Sequence, residues 1–340
     1  MENLVKAEDI AFYRQHGYWL SPRIFDHGAL EVLRDHLERV VEGEYETKRP
    51  PLLHTPAPGD LSEVVQVLNA HWADASIARA ALDQRLGAMA AKLAGTEGIR
   101  LFHDQLIYKP PDVGQASHIG WHQDLGYWTC IDDQRTLTAW VALDDVDEVN
   151  GCMEVVPGSH KWGILGENDF RGRDLEAQIA RIEARSGRAF ATECCQLEAG
   201  CVSFHNGATI HGSRANRSNS PRRSLVVHMI PDGTCFKGGT PADDNWYNLW
   251  IQAKDGDPYA GPYFPGDLPR ERRSGQSLGR GKRRLKRFSK VISVARPRPP
   301  APCSRRCSYG FIENSASLLK PAQKITRVRG ITESDTKIDL

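Results

Sequence analysis

The sequence predicts a mainly β domain, a sandwich or barrel, preceded by helices and followed by a basic tail. Between about residues 99 and 230, short runs rich in β-branched and aromatic residues alternate with Gly, Pro, Asn and Asp clusters, as in IRLFHDQLIY, TLTAWVAL, CMEVVP, CVSFH and RSLVVHMI. Many short strands separated by turns are typical of a sandwich or barrel. With 340 residues, of which 40% are hydrophobic, the chain can bury one substantial core.

Helical periodicity precedes this β-rich stretch. We expect a first helix over AEDIAFYRQHG, closed by Gly17, and a second over residues 26–44. Four apolar residues of the second segment follow the helical period: Leu30, Leu33, Leu37 and Val40. An Ala-, Leu- and Met-rich segment predicts a third helix across residues 77–94, with Gly95 at its end. These helices would flank the core and carry no chemistry.

The net charge of +1 hides an asymmetry. Residues 270–340 hold 19 Lys+Arg and 5 Asp+Glu, so the rest of the chain is net acidic. An acidic body argues against nucleic-acid binding by the core, because phosphate contacts need a basic face. The tail contains RGKRRLKRFSK and ARPRPPAP, a composition that favours disorder. We therefore predict one catalytic domain at 1–268 and a disordered tail at 269–340, with nucleic acid or an anionic membrane as an alternative partner of Lys282 to Lys290.

The cysteines and the N-terminal residues bear on the compartment. The eight cysteines form no CxxC pair, no zinc-ligand spacing and no regular disulfide framework, so we expect reduced thiols. The segment MENLVKAEDIAFYRQ lacks the apolar core of a signal peptide, and no stretch approaches the roughly 18 apolar residues that span a bilayer. The expectation is a soluble, cytoplasmic protein, a monomer or homodimer, without a membrane span.

The spacing of one histidine and one carboxylate indicates a metal site. Residues two apart in an extended strand share a face and can present two ligands to one ion. Histidine precedes a carboxylate by two residues at two places, His36-Leu37-Glu38 and His122-Gln123-Asp124. The first lies in the leucine-periodic helix, where such residues do not face one another. The second follows a β-rich run and is compatible with a strand end or extended loop.

Two imidazoles and one carboxylate on one face of an octahedron leave three open positions, which is typical of iron(II) oxygenases. A distant second histidine is therefore required, and His211 is the best candidate because a Gly-Ser turn follows it. Eleven residues later Arg222 opens the run SLVVHMI, where a guanidinium could pair bidentately with a carboxylate. His205 is the alternative ligand, although it more simply packs at a strand end. Arg223 is the alternative arginine, but its side chain would point to the opposite face.

At this point the sequence resembles the phytanoyl-CoA dioxygenase family. The matching stretches are YKPP at 108–111, WHQD at 121–124, TAWVALDD at 138–145, NGCMEVVPGSHK at 150–161 and HGSRANRSNSPRRS at 211–224. With FYRQHGYWL and GDPYAGPYFP they cover roughly residues 8–266, more than one motif match supports. The resemblance implies a double-stranded β-helix (jelly-roll, cupin-like) core with flanking N-terminal α-helices, which holds Fe(II) and takes 2-oxoglutarate as cosubstrate.

Carried over position by position, the resemblance implies roles for single residues. The implied catalytic metal ligands are His122, Asp124 and His211. Arg222 matches the partner of the distal carboxylate of 2-oxoglutarate. Three further residues match positions that line the cosubstrate pocket: Gln123, Trp140 and Ser213. Halogenating relatives replace the metal-binding aspartate with a small residue, so Asp124 favours hydroxylation.

The leading hypothesis is thus an oxygenase that uses Fe(II), 2-oxoglutarate and O2 to hydroxylate an aliphatic C–H bond of a small organic substrate, releasing succinate and CO2. The alternatives are a non-catalytic jelly roll that binds metal or ligand, and a cupin-like dioxygenase that does not use 2-oxoglutarate; Arg222 counts against the latter.

The substrate is not identified by these motifs, since family members act on acyl-CoA thioesters, compatible solutes and natural products. The charged insertion 169–187 reads as a surface helix, with a substrate lid as the alternative. Its four arginines could meet the phosphates of CoA, but acidic residues are interleaved with them, so CoA is not favoured.

Overall fold

The structure is a computed structural model that describes residues 4–166, 168–240 and 252–266. The α-helices within these residues are α1 (Ala7–His16), α2 (His27–Val41), α3 (Ala75–Ala81), α4 (Gln84–Ala94), α5 (Asp124–Tyr127) and α6 (Leu175–Ser186). The strands are β1 (Tyr18–Leu20), β2 (Leu53–Thr55), β3 (Val65–Leu68), β4 (Ile99–Lys109), β5 (Ile119–His122), β6 (Leu137–Ala142), β7 (Glu154–Val155), β8 (Glu193–Cys194), β9 (Val202–Asn206), β10 (His211–Ser213) and β11 (Arg222–Pro231). The predicted tail, 269–340, lies outside the described residues, and its boundary stays a prediction.

The described strands form two antiparallel sheets. The larger sheet has the order β1-β9-β6-β11-β4-β3-β2, and the smaller one has the order β5-β10-β7-β8. At the centre of the larger sheet, β11 pairs with β4 along its whole length, from Arg222 opposite Lys109 to Pro231 opposite Ile99. The predicted jelly roll is confirmed, and every long β-rich run of the sequence contributes a strand to it.

The larger sheet has two apolar faces. Leu225 and Val227 of β11 pack in one cluster with residues of α1 to α4, such as Leu37. Val226, which lies between them, points to the other face and packs with Ile119 of the smaller sheet. This alternation follows from the two-residue period of a strand. The layers are therefore helices, larger sheet and smaller sheet, and the space between the sheets is where inward side chains meet.

The N-terminal helices confirm two predictions and correct one. Helix α1 ends at Gly17, whose φ of 81° is left-handed, and α2 buries the four predicted apolar residues. The predicted single helix across 77–94 was wrong, because the chain breaks it into α3 and α4 at Leu82 and Asp83. The Asp83 carboxylate accepts a hydrogen bond from the N–H of Arg85 and so caps a new helix. An aspartate that bonds the backbone in this way favours a helix start over a helix interior.

The insertion is anchored to the smaller sheet. Helix α6 buries Leu175 and Ile182 against Trp121 of β5. The backbone N–H of Trp121 donates to the side chain of Gln178, at 2.8 Å, and the N–H of Gly120 donates to the carbonyl of Phe170, at 2.9 Å. A Cβ atom on Gly120 would lie 1.9 Å from a main-chain oxygen of this insertion, so the close approach requires glycine. The predicted surface helix is present, with one face buried.

Two further observations concern the compartment. In the part of the chain that the structure describes, no helix combines the length and the apolar character needed to cross a membrane. The six cysteines described there are free thiols, and four of them are buried: Cys130, Cys152, Cys195 and Cys201. The cytoplasmic location stays a prediction.

One N-cap should matter more than the others. Asp74 is 2% exposed, caps α3 by accepting from the N–H groups of Ser76 and Ile77, and lies 2.6 Å from Nδ1 of His36. We expect Asp74→Ala to lower the free energy of unfolding by about 2–4 kcal/mol, because the cap and a buried partner are lost together. The exposed cap Asp26, with one bond to Ala29, is the control, and Asp26→Ala should cost about 1 kcal/mol. Urea unfolding measures both, and equal losses would contradict the ranking.

Candidate metal centre

The two predicted histidines meet across one pair of strands. His122 ends β5 and is the direct antiparallel partner of His211 in β10, and their ring centroids lie 4.2 Å apart. Asp124 is the first residue of α5, and its Oδ1 atom lies 3.7 Å from Nε2 of His122 and 3.8 Å from Nε2 of His211. One ligand atom from each residue lies within 4.8 Å of the others, and all three residues are buried. The side chains predicted to bind metal thus converge.

Hydrogen bonds set the tautomer of both imidazoles. Nδ1 of His122 lies 2.7 Å from the carbonyl oxygen of Gly120, and Nδ1 of His211 lies 3.0 Å from that of Thr209. A carbonyl only accepts, so each Nδ1 carries a proton and donates it. The lone pair of each Nε2 therefore faces Asp124, which is the orientation that a metal ligand needs.

The charge state also suits a cation. Burial lowers the pKa of His122, and burial together with the His122 and His205 imidazoles holds the pKa of His211 well below its usual range. Burial raises the pKa of the Asp124 carboxyl, but His211 and His228 outweigh it and the pKa lies well below its usual range. At neutral pH the site offers two neutral imidazoles and one carboxylate. This donor set fits a divalent transition metal such as Fe(II).

The three candidate ligands line a cavity between the sheets, and Arg222 lines the same cavity. Its side chain is 1% exposed, and Nε and Nη2 have no hydrogen-bond acceptor among the described residues. Burial lowers the pKa of Arg222 to about 10, so the guanidinium is still charged at neutral pH. A buried charge with two unused donors is costly, and a carboxylate ligand would satisfy both donors at once. The residues present therefore fit the distal carboxylate of 2-oxoglutarate.

Arg222 and Arg223 are adjacent in sequence but contact different groups. Trp140 and Ser213 line the cavity with Arg222, and the guanidinium carbon of Arg222 lies 5.0 Å from the Trp140 ring centroid. Arg223 points to the other face of β11, where Nη2 lies 2.6 Å from Asp144 and Nη1 lies 2.5 Å from Glu38. Arg223 is thus committed to ion pairs, and Arg222 faces the site.

Gln123 lies elsewhere, although it was expected in the cosubstrate pocket. Its backbone is extended, with φ −119° and ψ 127°, so its side chain points away from those of its two neighbours. The amide nitrogen donates to the carbonyls of Gly163 and Ala208, at 2.8 and 2.7 Å, and the amide oxygen accepts from the N–H of Leu165. Gln123 holds two loops together and is not among the residues that line the cavity.

Three further polar side chains surround Asp124, of which the sequence had offered only His205, as an alternative metal ligand. Thr138 donates to Oδ2 at 2.7 Å, while Nε2 of His205 and Nδ1 of His228 lie 3.4 and 3.6 Å from the same oxygen. The His205 ring also lies beside His211, with centroids 4.3 Å apart, and lines the same cavity. The sequence pattern that could have identified His228 is its phase in β11, since residues 222, 226 and 228 share one face of the strand.

Comparison with known proteins agrees with this geometry. The family model described as phytanoyl-CoA dioxygenase (PhyH) matches residues 13–224. The chain is 32% identical over 145 residues to the probable phytanoyl-CoA dioxygenase of Caenorhabditis elegans, covering 39% of this chain and 43% of that relative, so this match spans less than half of the relative's length. It is 26% identical over 238 residues to the ectoine dioxygenase of Stutzerimonas stutzeri strain A1501, covering 65% of this chain and 75% of that one.

A solved structure extends the likeness to the fold. The non-heme alpha ketoglutarate dependent carbocyclase SnoK from nogalamycin biosynthesis superposes with a TM-score of 0.61 at 26% identity. The match covers 78% of this chain and 97% of that protein.

Loss of His211 should weaken metal binding far more than loss of His205. We expect His211→Ala to raise the Kd for Co(II) more than about a hundredfold, since it removes one of three ligands, and His205→Gln to raise it at most about tenfold. Calorimetric titration with Co(II) measures both. A stronger effect of His205→Gln would make His205 the ligand.

The pH dependence of metal affinity follows from the lowered pKa values of the ligands. Protons compete with the metal for Nε2, and two imidazoles of ordinary pKa near 6.5 would cost about a hundredfold in affinity between pH 7.5 and 5.5. Because burial lowers the pKa of His122 and holds the pKa of His211 well below its usual range, we expect a loss well under a hundredfold. The unfolded chain binds more protons below about pH 6.5, so the metal-free protein should lose stability there. Co(II) titrations across this range, with folding followed by circular dichroism, test the expectation; a hundredfold loss in folded protein would contradict it.

Proposed function

The chain belongs to the phytanoyl-CoA dioxygenase family and is an Fe(II)- and 2-oxoglutarate-dependent dioxygenase, and we propose that it hydroxylates an aliphatic C–H bond of a small organic substrate. The observation that supports this most directly is the buried pair of unused donors on Arg222, in the same cavity as three convergent metal ligands. A protein that bound only a metal would have no use for a buried, unpaired guanidinium.

Each residue then has a defined task. His122, Asp124 and His211 would hold the iron, and Arg222 would orient 2-oxoglutarate by a bidentate pair with its distal carboxylate, beside Trp140. When bound, iron with 2-oxoglutarate and O2 supplies the oxidation, in which 2-oxoglutarate becomes succinate and CO2 and one oxygen atom enters the substrate C–H bond.

The rest of the cavity wall suggests what enters it. Besides polar residues such as Gln105, the described lining includes five apolar side chains: Ile107, Ile119, Met153, Phe170 and Val226. The Phe170 ring lies near the metal ligands, with its centroid 5.5 Å from that of the His122 ring. An apolar wall excludes water from the reacting centre and holds an uncharged carbon group against it. We infer that the reacting part of the substrate is aliphatic and uncharged.

The charged insertion gives no support for a CoA thioester. Arg171 and Arg173 both bind Glu63, with nitrogen–oxygen distances of 2.8 and 3.4 Å. Arg185 donates to the carbonyl oxygen of Leu165 at 3.1 Å. These arginines are held by groups of the protein itself, so a phosphate would have to displace existing partners. A substrate without phosphate groups suits this surface better.

Removal of Arg222 should separate cosubstrate binding from metal binding. We expect Arg222→Ala to raise the KM for 2-oxoglutarate about 30-fold or more, because a buried charge pair is lost, while the Kd for Co(II) stays within about threefold. Arg223→Gln is the matched control on the opposite face of β11 and should leave this KM unchanged. Succinate formation under air, with and without Fe(II), measures the first quantity.

The same assay tests the reaction class. Iron-dependent succinate formation that is lost in His122→Ala would support the proposal and justify a screen of aliphatic substrates by mass spectrometry, with a gain of 16 Da as the readout. Unchanged 2-oxoglutarate kinetics in Arg222→Ala would overturn the assignment of the arginine. If the wild-type protein neither forms succinate nor binds 2-oxoglutarate in the presence of Fe(II), the protein is a binding jelly roll and no oxygenase.

A further inference from the structure

A row of polar side chains crosses the larger sheet directly behind Asp124. Thr138 of β6 is the antiparallel partner of His205 on one side and of His228 on the other, and His228 is in turn the partner of His103 in β4. All four residues are buried, at 3% exposure or less. Burying a polar side chain at this depth costs free energy unless the side chain is hydrogen-bonded, so the hydrogen-bond partners of these residues need to be identified.

The partners form a chain that ends on the metal-binding carboxylate. Thr138 Oγ1 lies 2.7 Å from Oδ2 of Asp124 and 2.8 Å from Nδ1 of His228. Nε2 of His228 lies 2.7 Å from Nε2 of Gln105, and Oε1 of Gln105 lies 2.6 Å from Nε2 of Gln66. Trp128 packs edge-on against the His228 ring, with centroids 4.7 Å apart, and holds it in place.

Only one direction of donation satisfies this chain. An ionised carboxylate can only accept, so the single hydroxyl hydrogen of Thr138 points at Asp124. Thr138 must then accept from Nδ1–H of His228. At the other ring nitrogen, Nε2 of His228 lies 2.7 Å from the amide nitrogen of Gln105, which can only donate, so Nε2 accepts from Gln105.

The far end of the chain agrees with this direction. With its amide nitrogen on His228, Gln105 presents its oxygen to Gln66, which donates to it. The orientation of the Gln105 amide therefore matches the direction that the carboxylate demands, although it lies three hydrogen bonds away. Every donor from Gln66 to Thr138 points towards Asp124.

The two oxygens of Asp124 are thereby divided between two tasks. Oδ2 accepts from Thr138 and faces His205, whereas Oδ1 is the oxygen near Nε2 of both His122 and His211. In this arrangement Oδ1 is the oxygen presented to the two imidazoles, while Oδ2 is engaged by Thr138.

We propose that Thr138, oriented by His228 and Gln105, is the positioning residue that holds Asp124 as a ligand through Oδ1 alone. His228 acts through Thr138, and Gln105 acts by selecting the tautomer of His228. This inference rests on the proposed function, since it concerns the same metal site. None of the three residues needs to touch the metal for the effect to occur.

The test compares isosteric and conservative variants by Co(II) binding to the full chain, read by calorimetry and by the visible absorption of the ion. Thr138→Val keeps the shape of the side chain but removes the hydroxyl, and the Kd for Co(II) should rise about 10- to 100-fold. Thr138→Ser restores the hydroxyl and should bring the Kd back to within about threefold of wild type. The Co(II) absorption bands should change in Thr138→Val, because a released Oδ2 alters the ligand field, and should be restored in Thr138→Ser.

The contribution of His228 is tested in the same way. His228→Leu should weaken binding about as much as Thr138→Val, whereas His228→Asn, whose amide N–H can stand where Nδ1–H was, should bind within about threefold of wild type. Because the two residues act in series, the double variant Thr138→Val with His228→Leu should bind no more weakly than Thr138→Val alone. Additive losses would overturn the series and make His228 act on Asp124 directly.

Three outcomes separate this inference from the proposed function. Equal Co(II) affinity and spectra in wild type and Thr138→Val, with only the thermal stability lowered, would show a structural network and overturn the inference alone. If the wild-type protein does not bind Co(II), both the inference and the proposed function fail. Weak binding in Thr138→Val with rescue in Thr138→Ser supports the inference, and thermal unfolding of each variant verifies that the protein is folded.

Discussion

The site depends on the register in which β5 pairs with β10. Antiparallel pairing puts His122 directly opposite His211. The two histidines are far apart in the sequence, so this pairing is what brings them together. A shift of one residue would turn one of the rings to the other face of the smaller sheet. The smaller sheet is short, so this register is held from outside, by the packing of Ile119 against the larger sheet and by the bonds of Gly120 and Trp121 to the insertion. Residues remote from the metal ligands thus determine whether the ligands converge.

The two sheets contribute different parts of the chemistry. The smaller sheet and the turn after it provide the metal ligands, and the larger sheet provides Arg222, Trp140 and the polar row behind Asp124. β11 pairs with β4 along its whole length and with β6 over six residues, so Arg222 and His228 stand on a strand that is paired on both sides.

Much of this site could be predicted from the sequence, because its key positions obey simple periods. The two-residue alternation of a strand brought His122 and Asp124 together and separated Arg222 from Arg223. The same alternation excludes Gln123 from the cavity, a consequence that the motif match obscured. The closeness of His205 and Thr138 to Asp124 could not be predicted from the sequence, because it arises from the pairing of β6 with β9, which connects residues more than sixty positions apart. The break between α3 and α4 was also missed, since an apolar composition conceals a single capping aspartate.

The locked register of β11 has a consequence for how related sites should be recognised. Ten residues of this strand pair with β4 and six pair with β6, so Arg222 keeps its place whatever happens in the connection before it. The tip of that connection, from Arg217 to Ser220, is largely exposed and carries no part of the cavity. Insertions or deletions there would change the eleven-residue distance from His211 without moving the guanidinium. Sequence searches that allow this gap to vary, but demand an arginine in phase with the inward-facing residues of the following strand, should therefore recover equivalent sites that a fixed spacing would miss.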